Sequence, residues 1–184
     1  MSGTVLYTTR WNEKNRRPIA GHAWIDPETA RQRVDAGDNI EIVDGASMDP
    51  DGVPRPRWVI GWSSAGPRVQ FYDEHGTKTR VVDYEPLDGR LWRLTTVDYA
   101  YADADERHGL SDVVVESEAE VLPDGTGHFS IENVVQRQES FSEFSGRAND
   151  AYWVEVPRFG EWDVLSDPGP SAAEVAGRES ALSA

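Results

Sequence analysis

Histidine is the side chain best suited to proton transfer near neutral pH, and it is also a frequent metal ligand. Three of the four histidines in this sequence stand where a turn or a strand end accounts for them. His75 lies in a predicted hairpin turn, His108 in a polar connection, and His128 at the start of a predicted strand. Neither His-x-x-x-His nor His-Glu-x-x-His occurs. We therefore predict no metal site.

His22 has a better placed set of neighbours. If residues 21–26 are extended, His22, Trp24 and Asp26 share one strand face. A carboxylate that orients an imidazole is a catalytic device. A half-buried histidine beside an aromatic ring accounts for the same pattern without any catalysis.

Nucleophile and phosphate motifs are absent from the sequence. There is no cysteine, no Gly-x-Ser-x-Gly, no phosphate-binding loop and no Gly-x-Gly-x-x-Gly. We predict no catalytic residue and no cofactor. This favours a binding protein, while leaving open a cofactor-free cyclase or isomerase that works by the shape of its cavity.

The negative charge is concentrated in one part of the sequence. Residues 1–65 hold 9 acidic against 8 basic residues, whereas residues 66–184 hold 24 against 10. Such a surface repels nucleic acid and anionic membranes and attracts cationic partners. The densest stretch, 98–120, predicts a docking surface for a basic protein such as a nuclease-like toxin or enzyme. The predicted docking residues are Asp98, Asp103, Asp105, Glu106, Glu116, Glu118 and Glu120, with Trp153 and Trp162 as aromatic anchors.

The acidity is also consistent with causes that involve no basic partner. Charged side chains on a solvated strand block edge-to-edge pairing. A GC-rich genome raises the acidic count without any selection for binding, and only two of the 18 basic residues are lysine. A phosphate-mimicking protein would need two tracks of carboxylates, which a sequence does not reveal.

Seven tryptophans form the second unusual feature. Large rings fill the core of a β protein well, since each buries on the order of 150–250 Å². Alternatively, some of them line a cavity for a small apolar ligand. The residues predicted for that cavity are Trp58, Trp62, Trp92 and His22.

The elements that must position these side chains are mostly strands. Apolar and polar residues alternate in 111–121, and turn signals such as Asp73–Gly76 and Pro123–Gly127 separate successive runs. Short connections favour an antiparallel meander. We predict a mainly β fold of about seven strands, curled into a barrel-like or two-layer body, with at most one or two short helices. A helix is possible from Pro27 onward, after an Asp26 N-cap.

The sequence also predicts where the folded part ends and where the protein resides. We expect one β-rich domain over residues 1–163 and a disordered tail over residues 164–184, which are rich in Ser, Gly, Pro and Ala. No signal peptide or membrane span is recognisable. We therefore predict an acidic cytoplasmic binding protein of the inhibitor or immunity type, without direct contact to nucleic acid or membrane.

Overall fold

The computed structural model describes residues 4–177, and over these residues the chain is mainly β. The strands are β1 (Val5–Thr8), β2 (Trp11–Asn12), β3 (Arg17–Pro18), β4 (Trp24–Ile25), β5 (Ile40–Asp44), β6 (Trp58–Trp62), β7 (Arg68–Tyr72), β8 (Lys78–Leu87), β9 (Arg90–Ala100), β10 (Val115–Val121), β11 (Gly127–Asn133), β12 (Gln138–Phe144) and β13 (Trp153–Glu155). The two short helices are α1 (Pro27–Asp35) and α2 (Ala172–Val175).

Most strands belong to one large antiparallel sheet. Its order is β12-β11-β10-β9-β8-β7-β6-β5-β1-β4, with β13 beside the first part of β9, while β2 and β3 form a separate hairpin. From β5 to β12 each strand pairs with the next along the chain, so the predicted meander is confirmed.

Two details of the predicted fold are wrong. The strand count exceeds seven, and of the two predicted arrangements the barrel-like one is wrong, since the path of the sheet is open and runs from β12 at one end to β4 at the other. By sequence, residues 137–150 are ambiguous between a loop and a short helix, yet β12 forms there. Because most side chains of β12 are exposed, the strand lacks the apolar alternation that marks a half-buried strand.

The helix at residue 27 forms for the predicted reason. Asp26 is the N-cap, and its Oδ1 accepts a hydrogen bond from the backbone N–H of Thr29 at 2.9 Å. Pro27 occupies the start of the helix, where its missing N–H costs nothing. Ala30 is fully buried and packs α1 against the sheet.

One face of the sheet carries the larger core. Ile42, Ile60, Val69 and Val82 are direct neighbours across four strands, and all four are fully buried. Helix α1 and residues 159–165 cover them. Within that cover, Trp162 donates a hydrogen bond from Nε1 to the Tyr7 hydroxyl at 3.2 Å, which joins β1 to the segment that follows β13.

The second core lies on β9 to β11. Trp92 is fully buried there and donates from Nε1 to the carbonyl of Val121 at 2.7 Å. Helix α2 closes this cluster with Ala172, Ala173 and Val175. The sequence predicts a disordered tail over 164–184. Residues 178–184 lie outside the described residues, but Leu165 is buried in the larger core, and Ala172, Ala173 and Val175 are buried in the second one.

Polar contacts attach the same C-terminal segment to the sheet. Asp98 is buried, bonds the guanidinium of Arg80, and accepts the backbone N–H of Ala172 at 2.6 Å. Arg80 donates from Nη1 to the carbonyl of Gly169 at 2.8 Å, and Arg93 bonds the carbonyl of Pro168. These contacts hold residues 168–172 against β8 and β9.

The opposite face of the sheet is covered only in part. Trp11, from the β2–β3 hairpin, packs on a small cluster of Val43, Val59 and Tyr72. The same face of β10, β11 and β12 carries polar and charged side chains. No helix among residues 4–177 is both long and apolar enough to cross a bilayer.

Candidate functional site

A carboxylate surface lies on this uncovered face. Directly opposed residues of an antiparallel pair point to the same side, so the register of β10, β11 and β12 defines three rows. The rows are Glu116–Glu132–Glu139, Glu118–Ser130–Phe141 and Glu120–His128–Glu143. We call these nine residues the acidic face. Six of the nine are glutamates, and the three on β10 are the ones that the sequence pattern predicted.

Phe141 is the phenylalanine of the acidic face and lies in its middle row, on the edge strand β12. Its side chain is 61% exposed, which is unusual for a phenylalanine. The ring stacks on His128, with 5.3 Å between ring centroids and 27° between the planes. His128 Nε2 lies 3.7 Å from Glu118 Oε1, and Nδ1 lies 3.9 Å from Glu120 Oε1. An exposed aromatic ring therefore stands among carboxylates.

The glutamates of the acidic face repel one another. Desolvation raises the pKa of Glu116, and the neighbouring charges of Glu118 and Glu132 raise it further. Like charges directly opposite each other destabilise a sheet. A cationic partner would relieve this repulsion, whereas an anionic one would increase it.

The predicted loop residues Asp103, Asp105 and Glu106 lie beyond the end of β9 and are exposed. Asp103 Oδ1 lies 3.1 Å from His108 Nε2, and the hydrogen bond from His108 lowers the pKa of Asp103. The loop is anchored through Arg107, which donates to three backbone carbonyls of two other loops. These carboxylates belong to a different segment from the three rows of the acidic face.

Three other predicted docking residues are buried or half-buried. Asp98 is only 6% exposed and is occupied by Arg80 and Ala172, and Trp162 is 2% exposed. Neither side chain is accessible to a protein partner, so we leave both out of the surface proposed below. Trp153 is half-buried, with the guanidinium carbon of Arg90 4.2 Å from its ring centroid.

An aromatic cleft of about 870 Å³ lies where β7 and β9 end and β8 begins. Its volume is in the range of small-molecule sites. We define the aromatic cleft by the side chains that give it its character: Trp58, Phe71, Tyr72, Tyr99, Tyr101, Thr77, Thr79, Arg57, Arg80, Asp73, Asp103 and His108. The C-terminal segment contributes Ser166 and Pro168 to its rim.

Of the four residues predicted for a ligand cavity, only Trp58 lines the aromatic cleft. Trp62 packs edge-on against Trp162, with centroids 5.5 Å apart, and Trp92 is fully buried. His22 does not line the cleft; it is exposed, with Nδ1 2.5 Å from the Thr9 hydroxyl.

The polar groups of the aromatic cleft are fixed by contacts within the protein. The Tyr101 hydroxyl donates to the carbonyl of Lys78 at 2.7 Å, and burial raises the pKa of Tyr101 to about 12. The ring of His108 stacks on Tyr101, with centroids 5.2 Å apart. Thr77 accepts the backbone N–H of His108 at 3.0 Å. The arrangement offers a rigid aromatic wall with hydrogen-bonding groups at its edge.

Sequence reasoning missed the β11 and β12 part of the acidic face. Only the pairing register with β10 shows that four further residues share the face of its glutamates, namely Glu132, Glu139, Phe141 and Glu143. The available signal was the hairpin itself, since the four residues 134–137 separate two runs of equal length. Within residues 4–177, no group of three or more His, Asp or Glu side chains could hold a metal ion.

Comparison with known proteins gives no analogy for either site. Neither a protein-family model, nor a curated protein, nor a solved structure matches this chain. The function has to be inferred from the acidic face and the aromatic cleft themselves.

Proposed function

We propose that this protein binds a basic protein partner through the acidic face and neutralises it, as an inhibitor or immunity-type protein does. The observation that carries the proposal is the exposed ring of Phe141 among six glutamates on three adjacent strands. A nuclease-like protein would suit the acidic face as a partner, because a protein that binds nucleic acid needs a cationic surface.

Charge supports the encounter step. The chain carries a formal net charge of −15, and the acidic face contributes six carboxylates on one continuous patch. Complementary fields accelerate association and orient the partners. The same field disfavours nucleic acid and a second acidic face as occupants.

Phe141 supports the bound state. Energetic hot spots are enriched in aromatic and arginine side chains. An arginine of the partner could stack on the outer side of Phe141 and reach Glu139 or Glu143, which are two residues away on the same strand face.

The first step of the test is to identify the partner by native mass spectrometry of the protein purified from its host at low salt. The purified partner is then titrated calorimetrically with wild type, with Glu139→Lys/Glu143→Lys and with Phe141→Ala. We expect both variants to weaken binding at least about tenfold, as loss of a hot spot does. The matched control is Glu74→Lys/Glu161→Lys, which changes the net charge equally at two exposed positions elsewhere. Equal losses in the control and in the first variant would show that only net charge matters.

The aromatic cleft supports a second candidate function, the binding of a small apolar ligand. Trp58 lines the cleft and is 5% exposed, so its fluorescence would report a ligand beside it. N-phenyl-1-naphthylamine is a suitable neutral probe. We expect saturable quenching of tryptophan emission that Trp58→Phe removes and that Trp24→Phe, at an exposed tryptophan outside the cleft, preserves. Quenching that is the same in both variants would exclude the cleft as the binding site.

A further inference from the structure

We propose that a groove beside the β2–β3 hairpin binds a small anion carrying two or more phosphate groups. The groove has a volume of about 600 Å³. Four of its ten lining residues are cations, namely Lys14, Arg16, Arg17 and Arg107, and none is acidic. We call it the basic groove. It is separate from the acidic face and does not depend on the function proposed above.

Uncompensated positive charge distinguishes the basic groove from the rest of this acidic chain. Neither Lys14 nor Arg17 forms an ion pair with another described residue, and both are exposed. The one acidic residue of the hairpin, Glu13, is engaged elsewhere, with its Oε2 2.6 Å from Lys78 Nζ. The positive charge of Lys14 and Arg17 is therefore not neutralised by a carboxylate among the described residues and is available to an anionic ligand.

Arg107 is held at the groove by backbone contacts. It donates from Nε to Gly76 at 3.2 Å, from Nη1 to Lys14 at 3.1 Å and from Nη2 to Glu13 at 2.9 Å, in each case to a carbonyl oxygen. Carbonyls orient the guanidinium but leave its full charge in place. Each Nη retains a second N–H, so the group is still able to bond an oxyanion.

Arg16 adds to the same excess. It binds Asp49, but Asp49 also binds Arg55, so one carboxylate serves two guanidinium groups. Guanidinium groups match the geometry of phosphate oxygens, and several of them favour a multiply charged ligand. Asn12 and Asn15 contribute amide groups to the lining, and Pro18, Ile19 and Val53 provide an apolar side for the rest of the molecule.

The test is calorimetric titration of the full chain with inorganic pyrophosphate at low ionic strength. Wild type is compared with Lys14→Gln/Arg17→Gln, which changes two exposed side chains. The matched control is Arg137→Gln/Arg158→Gln, which removes the same charge at two exposed positions outside the groove. We expect one site in wild type, at least tenfold weaker binding in the first variant, and a change below twofold in the control.

Three results would overturn the proposal. These are undetectable binding to wild type at millimolar pyrophosphate, equal weakening in both variants, and a groove occupied by another copy of the chain. Sedimentation velocity tests the last of these. Self-association that disappears in Lys14→Gln/Arg17→Gln would show that the acidic face of a second copy binds in the basic groove.

Discussion

Tyr99 lies directly opposite Glu116 across the β9–β10 pair. Tyr99 lines the aromatic cleft, whereas Glu116 belongs to the acidic face, so the two candidate sites share a border. Burial raises the pKa of Tyr99, and the charge of Glu116 is the next largest cause. A partner that neutralises Glu116 therefore changes the electrostatics of the cleft.

Glu116→Gln should lower the pKa of Tyr99, because it removes a negative charge that disfavours the phenolate. The measurement is an NMR titration of tyrosine labelled at Cζ. Glu132→Gln is the control on the same row of the acidic face, since its charge is not among the causes of the Tyr99 shift. An unchanged Tyr99 pKa in Glu116→Gln would show that the border carries no coupling.

Removing a like charge from the acidic face should stabilise the fold. Glu132 faces Glu116 directly, and its charge contributes to the raised pKa of Glu116. We expect Glu132→Gln to lower the Glu116 pKa and to increase the free energy of unfolding by about 0.5 kcal/mol. Urea unfolding and carboxylate NMR check the two effects. Glu155→Gln, at an exposed position on β13, should change neither, and a destabilised Glu132→Gln would contradict the argument.

Glu41 should make stability depend on pH near neutrality. Its Oε2 is buried without a hydrogen-bond partner among the described residues, and desolvation raises its pKa from 4.5 to about 7. The folded protein thus holds this proton more tightly than the unfolded chain does. The contribution of Glu41 to stability is present below the unfolded-state pKa and is lost as the pH rises through the folded-state pKa.

Glu41→Gln mimics the protonated form and should remove that loss. We expect the variant to exceed wild type by roughly 3 kcal/mol in free energy of unfolding at pH 8, and to match it at pH 4. Denaturant unfolding at both pH values measures the difference. Glu85→Gln, on the exposed part of β8, is the control and should show no such dependence. Equal stability of Glu41→Gln and wild type at pH 8 would mean that the carboxylate is solvated.

Asp98→Asn should loosen the C-terminal segment. The substitution leaves Arg80 without its buried counter-ion and weakens the bond to the N–H of Ala172. Breaking a buried ion pair typically costs about 3 kcal/mol or more. Hydrogen exchange should rise in residues 168–176 before it rises in β6 or β7. Asp51→Asn, at an exposed loop position, should leave exchange unchanged. A uniform increase across the sheet in Asp98→Asn would argue against a local role.

The sequence predicted the elements that carry a local signal, such as apolar alternation, a turn residue or a helix cap, and missed those without one. The alternation in β10, the turn at Gly76 with its positive φ of 82° and the N-cap of α1 all depend on short-range physics. β12 was not predicted as a strand, because a strand at the exposed end of a sheet has the same polar composition as a loop. The burial of Asp98 and Trp162 depends on residues more than 70 positions away, which no local pattern encodes.

The hydrogen bond between Trp162 and Tyr7 bears on the order in which the protein folds during its synthesis. Residues 159–176 complete both cores, and they are synthesised after every strand of the meander. The meander can form hairpin by hairpin during synthesis, but its larger face stays uncovered until residues 159–176 have emerged from the ribosome. A chain that terminated before residue 159 would therefore expose a broad apolar sheet to chaperones and proteases.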